Sequence, residues 1–427
     1  MTNDTRFWHP FSDMGAVGAD GLFTLARAEG VWIWDTRGER YLDATASLWY
    51  ANVGHGRAEI ADAVHDQLLK LDAYSTFGDY ANEPSERLAQ RLAAHAPMDD
   101  ARIYLTSGGG DSIDTAAKLA RQYFSVLGQP ERVVLLSRTN GYHGTHGYGT
   151  AIGGIEANRA GYGPLMEHTA LVPWDSLPAL EETIQRIGPH RIAAFFAEPV
   201  IGAGGVLPPP DGYLEGVAAI CREHGILFVV DAVICGFGRL GEWFGIERWG
   251  VTPDMIVFAK GVTSGYQPLG GVVVGGEIAE PFFAAPGHFV RHGATYAGHP
   301  ACCAAANANL DILEREGLIA RGRELEEELA AVLAPLTDHP LVREVRAGTG
   351  LLAAFELEPA ALAGGLTVPQ VSLEMRARGV LTRPLGNAVA VSPPLTVQRA
   401  ELELIGEVAR ISLDAILERM PPLAARA

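Results

Sequence analysis

Three features of the chain carry residue types that could do chemistry, although each has a plain structural explanation when taken alone. Lys260 follows an apolar run in "DMIVFAKG" (254–261), where a lysine amine would be poorly solvated. Asp231 follows another apolar run in "ILFVVDAV" (226–233), and a glycine turn, "TSGGGDS" (106–112), opens onto a helical pattern. Separately, the lysine could snorkel to the surface, the aspartate could cap a helix and the glycines could form an ordinary turn.

Together, the three features match the groups of a single ligand. A helix N-terminus after a glycine turn offers free backbone N–H groups to an anion such as phosphate. A carboxylate at the end of a buried strand needs a positive or hydrogen-bonding partner. An amine whose pKa is lowered by burial attacks carbonyls to form a Schiff base. Pyridoxal 5'-phosphate (PLP) carries a phosphate, a ring nitrogen and an aldehyde, so the combination predicts a PLP site.

The elements that would position these residues are those of an α/β sheet. Short apolar runs at 133–136, 192–199, 226–233 and 254–261 alternate with helical periodicity, as in a parallel sheet with crossover helices. Residues 111–124 have apolar side chains at helical spacing. Ligands bind at the carboxyl ends of strands in such sheets, which predicts that the glycine turn, Asp231 and Lys260 face one crevice.

Bulk properties limit the class of protein. The chain has 427 residues, 48% hydrophobic content and a formal net charge of −18, which argues against nucleic acid or an anionic membrane as the main partner. Its four cysteines show no zinc or CxxC spacing and suit a reducing cytosol. No signal peptide and no apolar run of about 18 residues is present. We therefore expect a cytoplasmic protein with no membrane span.

Longer motifs resemble those of the class III PLP-dependent aminotransferases, the group that contains ω-amino acid:pyruvate and amine transaminases. The main ones are "FVVDAVICGFGRLG" (228–241) and "PDMIVFAKGVTSGYQPLGGVVV" (253–274), with "SLWYANVGHG", "NGYHG", "TYAGHP" and "LTRPLGNAVAVSPPLT" in the family's order. The resemblance implies fold type I. This is an α/β fold with a large domain built on a central, mostly parallel sheet and a small α+β domain formed from both chain ends.

The resemblance also implies a division of the chain and an assembly. An N-terminal segment (1–58) would pack with the small domain, the large PLP-binding domain would span 59–312, and the C-terminal small domain would span 313–427. Active sites would be shared across a homodimer, which could assemble further into a tetramer.

Site residues are carried over from the family's motifs by position. Lys260 matches the lysine that forms the Schiff base and moves the proton, and Asp231 matches the aspartate that keeps the ring nitrogen protonated. The cofactor-binding positions are Gly109, Gly110, Tyr142, Glu198, Asp231, Val233, Lys260 and, from the neighbouring subunit, Thr295. The substrate-binding positions are Trp49, Phe77, Tyr142, Ala203 and Arg383, with Arg383 matching a mobile arginine that receives a carboxylate.

These assignments predict an ω-transaminase that passes an amino group from a primary amine or ω-amino acid to a keto acid, pyruvate above all, by a ping-pong mechanism through a Lys260 aldimine. The alternatives are a PLP-dependent aminomutase or racemase on the same fold, and a 2-oxoglutarate-dependent diamine or GABA-type aminotransferase. A non-enzymatic cofactor-binding protein would leave bound PLP unbleached by amine. A dinucleotide oxidoreductase would leave Lys260 unexplained.

The sequence departs from the family pattern at two positions, and it also contains a pair of histidines that could suggest a metal site. Ala232 stands where the family's "DEV" has a glutamate, which we expect to remove a carboxylate from beside the cofactor. "GGGDS" replaces the usual "SGSEA", so Gly110 lacks a serine hydroxyl that could reach the phosphate. His143 and His146 in "HGTH" lack a third ligand, and we expect no metal site.

Overall fold

The fold is built on a large twisted sheet and two smaller ones. A computed structural model describes residues 5–420 of the chain. Its strands are β1 Leu25–Glu29, β2 Trp32–Asp35, β3 Arg40–Asp43, β4 Arg102–Thr106, β5 Val134–Arg138, β6 Thr169–Val172, β7 Ile192–Ala197, β8 Leu227–Asp231, β9 Met255–Phe258, β10 Gly270–Val274, β11 Val342–Arg346, β12 Ala353–Leu357, β13 Val380–Leu381, β14 Arg383–Leu385 and β15 Ala388–Val391.

The helices surround these sheets and connect their strands. They are α1 Met14–Asp20, α2 Ala46–Trp49 (an irregular turn), α3 Ala58–Lys70, α4 Glu83–His95, α5 Gly109–Val126, α6 Gly147–Ile152, α7 Leu177–Ile187, α8 Tyr213–His224, α9 Gly276–Phe283, α10 Pro300–Arg315, α11 Leu318–Leu333, α12 Pro359–Ala363, α13 Val368–Ala377 and α14 Arg399–Leu417. Short 3₁₀ turns lie at Glu156–Asn158, Pro189–Arg191, Ile246–Trp249, Lys260–Val262 and Ala334–Asp338.

The central sheet has seven strands in the order β4–β10–β9–β8–β7–β5–β6. Strands β9, β8, β7, β5 and β6 are parallel, and β10 runs antiparallel to both of its neighbours. The predicted mostly parallel sheet is therefore confirmed. Because β10 is the reversed strand, the carboxyl end of β4 lies at the same edge of the sheet as the carboxyl ends of β8 and β9.

Burial on both faces explains why the central strands are continuously apolar. In β8, Phe228 and Val230 belong to one apolar cluster, whereas Leu227 and Val229 belong to another on the opposite face. Every residue of β8 and β9 is buried. The predicted amphipathic helix at 111–124 is confirmed as α5, which packs on β9 and β10. A sheet covered on both sides can expose polar groups only at strand ends, where the predicted site residues lie.

Both chain ends contribute to the smaller sheets. The first has the order β1–β2–β3–β13, in which Leu42 of β3 pairs in parallel with Val380 of β13. The second, β11–β12–β15–β14, carries Arg383 on β14. The domain boundaries at 58/59 and 312/313 stay a prediction, and their outermost residues (1–4 and 421–427) lie outside the described residues.

A helix can cross a membrane only if it is long and apolar enough. Within residues 5–420, every helix is too short or too polar to serve as a membrane span.

Candidate active site

Parallel pairing of β8 with β9 brings the predicted chemical residues to one edge of the sheet. Asp231 pairs with Val257, so the end of β8 lies beside the turn that carries Lys260. The glycine turn after β4 reaches the same edge. A cavity of about 160 Å³ opens there. Its lining includes seven of the predicted site residues: Gly109, Gly110, Tyr142, Glu198, Asp231, Val233 and Lys260.

The amine of Lys260 is the reactive group of this cavity. Burial lowers the pKa of Lys260 to about 8, while Asp231 and Glu198 act in the opposite direction. Its backbone lies in the left-handed region with φ of +48°, which is uncommon for a residue with a β-carbon. Strained backbone of this kind clusters at functional sites. The amine is therefore both held in place and more often unprotonated than an ordinary lysine.

A buried histidine orients Asp231. The Nδ1 atom of His143 lies 2.8 Å from Oδ2 of Asp231, and the Val233 backbone N–H donates to Oδ1 at 3.1 Å. Both side chains are almost fully buried. In the described part of the chain, Nε2 of His143 has no hydrogen-bond partner. Sequence reasoning did not assign His143 this position, because 88 residues separate it from Asp231.

Glu198 connects two loops beside the cavity. Its Oε1 accepts a hydrogen bond from the Tyr142 backbone N–H, and its Oε2 accepts one from the Gly202 N–H, both at 2.9 Å. Burial raises the pKa of the Glu198 carboxyl group, and the nearby His143 opposes this rise. The buried Arg138 side chain donates to the Glu198 carbonyl oxygen. This carboxylate thus fixes the loop that presents Tyr142.

The glycine turn leaves room on the cavity side of helix α5. A β-carbon on Gly109 would lie 3.2 Å from Cγ1 of Val233, and one on Gly110 would lie 3.1 Å from the His146 ring. Short side chains therefore allow the backbone of this helix start to border the cavity. The first free N–H groups of α5 are available there to bind an anion.

Trp49 and Arg383 form a second layer near Lys260. The guanidinium carbon of Arg383 lies 4.6 Å from the centroid of the Trp49 ring, and Nζ of Lys260 lies 5.9 Å from the same ring. Ala203 packs against the apolar cluster that contains Trp49 and Ile234. Burial lowers the pKa of Arg383, and Tyr142 opposes this shift. None of these three predicted substrate residues lines the cavity itself.

Two predicted residues lie elsewhere on the chain. Phe77 is 55% exposed and lines a separate cavity of about 950 Å³ with Tyr104 and His292. Thr295 is exposed in the loop that precedes α10. Neither residue lines the cavity at Lys260. That Thr295 serves a neighbouring subunit stays a prediction.

Ala232 directly follows the last residue of β8. It is fully buried in an apolar cluster and is absent from the cavity lining, whereas its neighbours Asp231 and Val233 line the cavity. The expectation that this substitution removes a carboxylate from beside the cofactor stays a prediction.

The two histidines of "HGTH" bind different carboxylates. His143 pairs with Asp231, whereas Nδ1 of His146 lies 3.1 Å from Asp111. Across residues 5–420, no three His, Cys, Asp or Glu side chains are grouped as metal ligands would be.

The cavity has the features that PLP requires. Tyr142 and Val233 both line it, as ring-stacking residues would, and Asp231 provides a buried carboxylate for the ring nitrogen. The start of α5 can take the phosphate, and Lys260 is an amine of lowered pKa. The residues present therefore fit PLP in their chemistry.

Known proteins resemble this chain in sequence and in fold. Residues 14–411 match the family model described as aminotransferase class-III. The chain is 38% identical to the putrescine–pyruvate aminotransferase of Pseudomonas aeruginosa, covering 95% of this chain and 93% of that protein. It is 36% identical to the diaminobutyrate–2-oxoglutarate transaminase of Halomonas elongata, covering 89% and 88%.

A solved structure gives the same result. The PLP-bound amine transaminase from an uncultivated Pseudomonas species superposes with a TM-score of 0.92 at 37% identity, covering 97% of this chain and 100% of that one.

Proposed function

This chain belongs to the class III aminotransferases, which are PLP-dependent enzymes, and we propose that within this family it is an ω-transaminase. It takes an amino group from a primary amine or ω-amino acid and passes it to pyruvate. The observation that carries this proposal is Arg383, whose guanidinium group lies 4.6 Å from the Trp49 ring beside Lys260. One guanidinium group can receive the single carboxylate of pyruvate, and the ring and Ala203 provide apolar surface for the donor.

Lys260 and Asp231 are the catalytic residues of the proposal. When bound, PLP supplies an aldehyde that accepts the amino group and a protonated pyridine ring that withdraws electrons. Lys260, as the neutral amine, would hold the aldehyde carbon of PLP. Once the donor amine has displaced it, its freed Nζ would carry the proton from the amine-bearing carbon of the donor. Asp231, whose carboxylate is oriented by His143, would hold the proton on the ring nitrogen.

The remaining residues bind and orient. Gly109 and Gly110 would hold the phosphate with the backbone N–H groups of α5, and Tyr142 and Val233, which line the cavity, would enclose the ring. Glu198 fixes the Tyr142 loop. Thr295 and Phe77 act on the site of a partner copy, so the functional unit is a homodimer with shared sites. We place the enzyme in the cytoplasm, in keeping with four cysteines that are all free thiols.

A 2-oxoglutarate-dependent reaction is the second candidate, because the Halomonas elongata relative is named for that acceptor. A panel of primary amines, diamines and ω-amino acids, each assayed with pyruvate and with 2-oxoglutarate, distinguishes the two. We expect stoichiometric alanine from pyruvate and at most slow formation of glutamate. Faster glutamate formation would identify 2-oxoglutarate as the acceptor instead of pyruvate. Amine turnover without either product would favour an aminomutase or racemase.

Two variants test the residue assignments. Lys260→Ala should retain weak PLP binding and lose transamination, and activity within tenfold of the parent would show that another residue moves the proton.

Arg383→Ala should lose rate with pyruvate while it keeps most activity toward neutral aldehydes, because only pyruvate carries the carboxylate that the arginine receives. Equal losses with both acceptors would contradict that role. The ping-pong order predicts parallel lines in double-reciprocal plots of rate against amine at several pyruvate concentrations.

A further inference from the structure

The chain that leads from β3 to Trp49 is strained. Ala46, Ser47 and Trp49 have φ values of +46°, +59° and +61°, and Ser47 combines its φ with a ψ of −101°. These conformations are unfavourable for residues that carry a β-carbon, and they persist only where the surroundings enforce them. The backbone that delivers Trp49 to the active site therefore depends on other groups to hold it.

The carboxylate of Asp43 supplies one part of this restraint. Asp43 is 1% exposed and ends β3. Its Oδ1 accepts a hydrogen bond from the Thr45 backbone N–H at 3.1 Å, and its Oδ2 accepts one from the Ser47 N–H at 2.8 Å. Nε2 of His55 lies 2.9 Å from Oδ2. Both oxygens thus bind backbone N–H groups in the strained segment, one at Ser47 itself and one at Thr45 beside it.

A second set of contacts fixes the turn to the loop that follows Lys260. The Ser47 hydroxyl donates to the Tyr50 hydroxyl at 2.6 Å. The Tyr50 ring packs so closely on Gly265 that a β-carbon there would lie 2.3 Å from it. The Val53 N–H donates to the Ser264 hydroxyl at 3.2 Å. The turn is therefore held between Asp43 on one side and the Lys260 loop on the other.

The orientation of Trp49 follows from this backbone. The residue is 3% exposed, and within the described residues its ring Nε1 makes no hydrogen bond. The ring stays beside Arg383 and Lys260 because packing and the turn hold it there. An arginine over a tryptophan face is stabilised by cation–π attraction.

We propose that Asp43 is a positioning residue for acceptor selection. Its carboxylate restrains the strained turn, and the turn fixes the position of the Trp49 ring. That ring keeps the guanidinium group of Arg383 in a position to bind a carboxylate. The effect on acceptors rests on the proposed transaminase function, whereas the effect on Trp49 does not.

The test replaces one acceptor oxygen of Asp43 with a donor. In Asp43→Asn, the N–H of Thr45 or of Ser47 faces an amide N–H, so the turn should relax and Trp49 should leave Arg383. We expect the KM for pyruvate to rise about tenfold, the size of a lost partly buried cation–π contact, and the KM for a neutral aldehyde to change less than about threefold. A crystal structure of the cofactor-free variant should show the Trp49 ring displaced.

A rescue variant and a matched control separate positioning from general stability. Glycine adopts the Ser47 backbone conformation without assistance, so Ser47→Gly in the Asp43→Asn background should restore the KM for pyruvate to within about threefold of the parent. Asp35 is the control, because it is also buried and accepts backbone N–H bonds from Arg37 and Glu39 in the β2–β3 hairpin. Asp35→Asn should lower the melting temperature and leave the ratio of the two KM values unchanged.

Three results would overturn the proposal: an unchanged KM ratio in Asp43→Asn, an equal change in Asp35→Asn, or a Trp49 ring still over Arg383 in the variant crystal. If Asp43→Asn does not fold, His55→Ala takes its place, since it removes one partner of Oδ2 at a partly exposed residue. A smaller shift in the same direction supports the proposal, and no shift rejects it. If the parent has no transaminase activity, the proposed function fails and the position of Trp49 in the crystal still decides this inference.

Discussion

Lys260 illustrates how burial converts an ordinary side chain into a nucleophile. With the pKa lowered to about 8, roughly 300-fold more of the amine is neutral at pH 7 than for a lysine of ordinary pKa. The same desolvation makes the charged form costly, so the site trades stability for reactivity. The reactivity is a property of the folded cavity and is present before any cofactor arrives.

The lowered pKa predicts a pH dependence for cofactor loading. Below pH about 8, the rate at which PLP becomes fixed to cofactor-free protein should rise about tenfold per pH unit, and above it the rate should level off, because the neutral amine reacts. Borohydride trapping and mass spectrometry of the Lys260 peptide measure this rate. Nα-acetyl-lysine amide is the control, and its rate should keep rising toward pH about 10. A protein profile that follows the free amine would contradict the lowered pKa.

At this scale, sequence reasoning located Lys260, Asp231 and the glycine turn at one cavity but did not find the role of His143. Lys260 and Asp231 stand out because a charged residue at the end of an apolar run is unusual whatever its partners are. His143 has no such local signature, since its partner Asp231 is 88 residues away. The loop after β5 had to be placed against the end of β8 before that pair could be recognised.

Glu198 shows how one side chain can join two loops. Its two oxygens accept N–H bonds from Tyr142 and Gly202, so a glutamine can accept only one of them and must place an N–H against the other. Glu198→Gln should weaken PLP retention about tenfold, the cost of one unsatisfied buried donor. Equilibrium dialysis measures this loss. Glu181→Gln is the control, because Glu181 binds His224 at the surface; equal losses in both variants would reject the assignment.

The start of helix α5 predicts opposite outcomes for two neighbouring glycines. Gly109→Ala places a methyl group 3.2 Å from Val233, a residue that lines the cavity, and should weaken PLP binding about tenfold through overpacking. Gly110→Ser meets the His146 ring, which is 51% exposed and can shift toward solvent at the cost of its surface pair with Asp111. The new hydroxyl would lie at the helix start that is proposed to bind the phosphate. This variant should bind PLP at least as tightly as the parent. The same dialysis checks both, and tighter binding by Gly109→Ala would contradict this geometry.

The order of the elements along the chain explains which parts of the fold could be predicted from the sequence. The apolar strands and α5 follow from periodicity alone, and the parallel sheet follows from the alternation of strands with helices. The pairing of β8 with β9 does not follow from that alternation, because a 3₁₀ turn stands between them in place of a crossover helix. The reversal of β10 also does not follow, because a buried strand is apolar in either direction. The strain at Ser47 was equally hidden, since its φ and ψ depend on Asp43, on Tyr50 and on the Lys260 loop.

At the scale of the whole molecule, a broad aromatic surface lies apart from the Lys260 cavity. Phe77, Phe289 and Tyr296 are each more than half exposed. The Phe77 ring is in contact range of Gly293, and the neighbouring Thr76 hydroxyl donates to the Ala297 carbonyl at 2.9 Å. Phe77 therefore shares a surface with the loop of Thr295. Exposed apolar patches of this kind mark interaction sites, which supports the proposed homodimer.

If the active sites are shared across the dimer, a dimer of two different variants should behave differently from either homodimer. Thr295→Glu places a carboxylate where the proposal puts the partner's phosphate, and Lys260→Ala removes the amine, so each homodimer should be inactive. Thr295 is exposed on its own chain, so the glutamate should not disturb folding. In a heterodimer, one site carries both defects and the other carries neither. We expect roughly half of the parent's activity per dimer, because one of the two symmetric sites is intact.

Two differently tagged chains, purified through both tags, provide the heterodimer for this measurement. Thr295→Ser, which keeps the hydroxyl, is the control and should retain PLP and activity as a homodimer. Heterodimers as inactive as both homodimers would show that Thr295 acts within its own chain. An active Thr295→Glu homodimer would show that the residue is remote from every phosphate. Recovery of activity only on mixing requires that Lys260 of one chain and Thr295 of the other meet at the same bound cofactor, because neither chain alone then supplies a complete site.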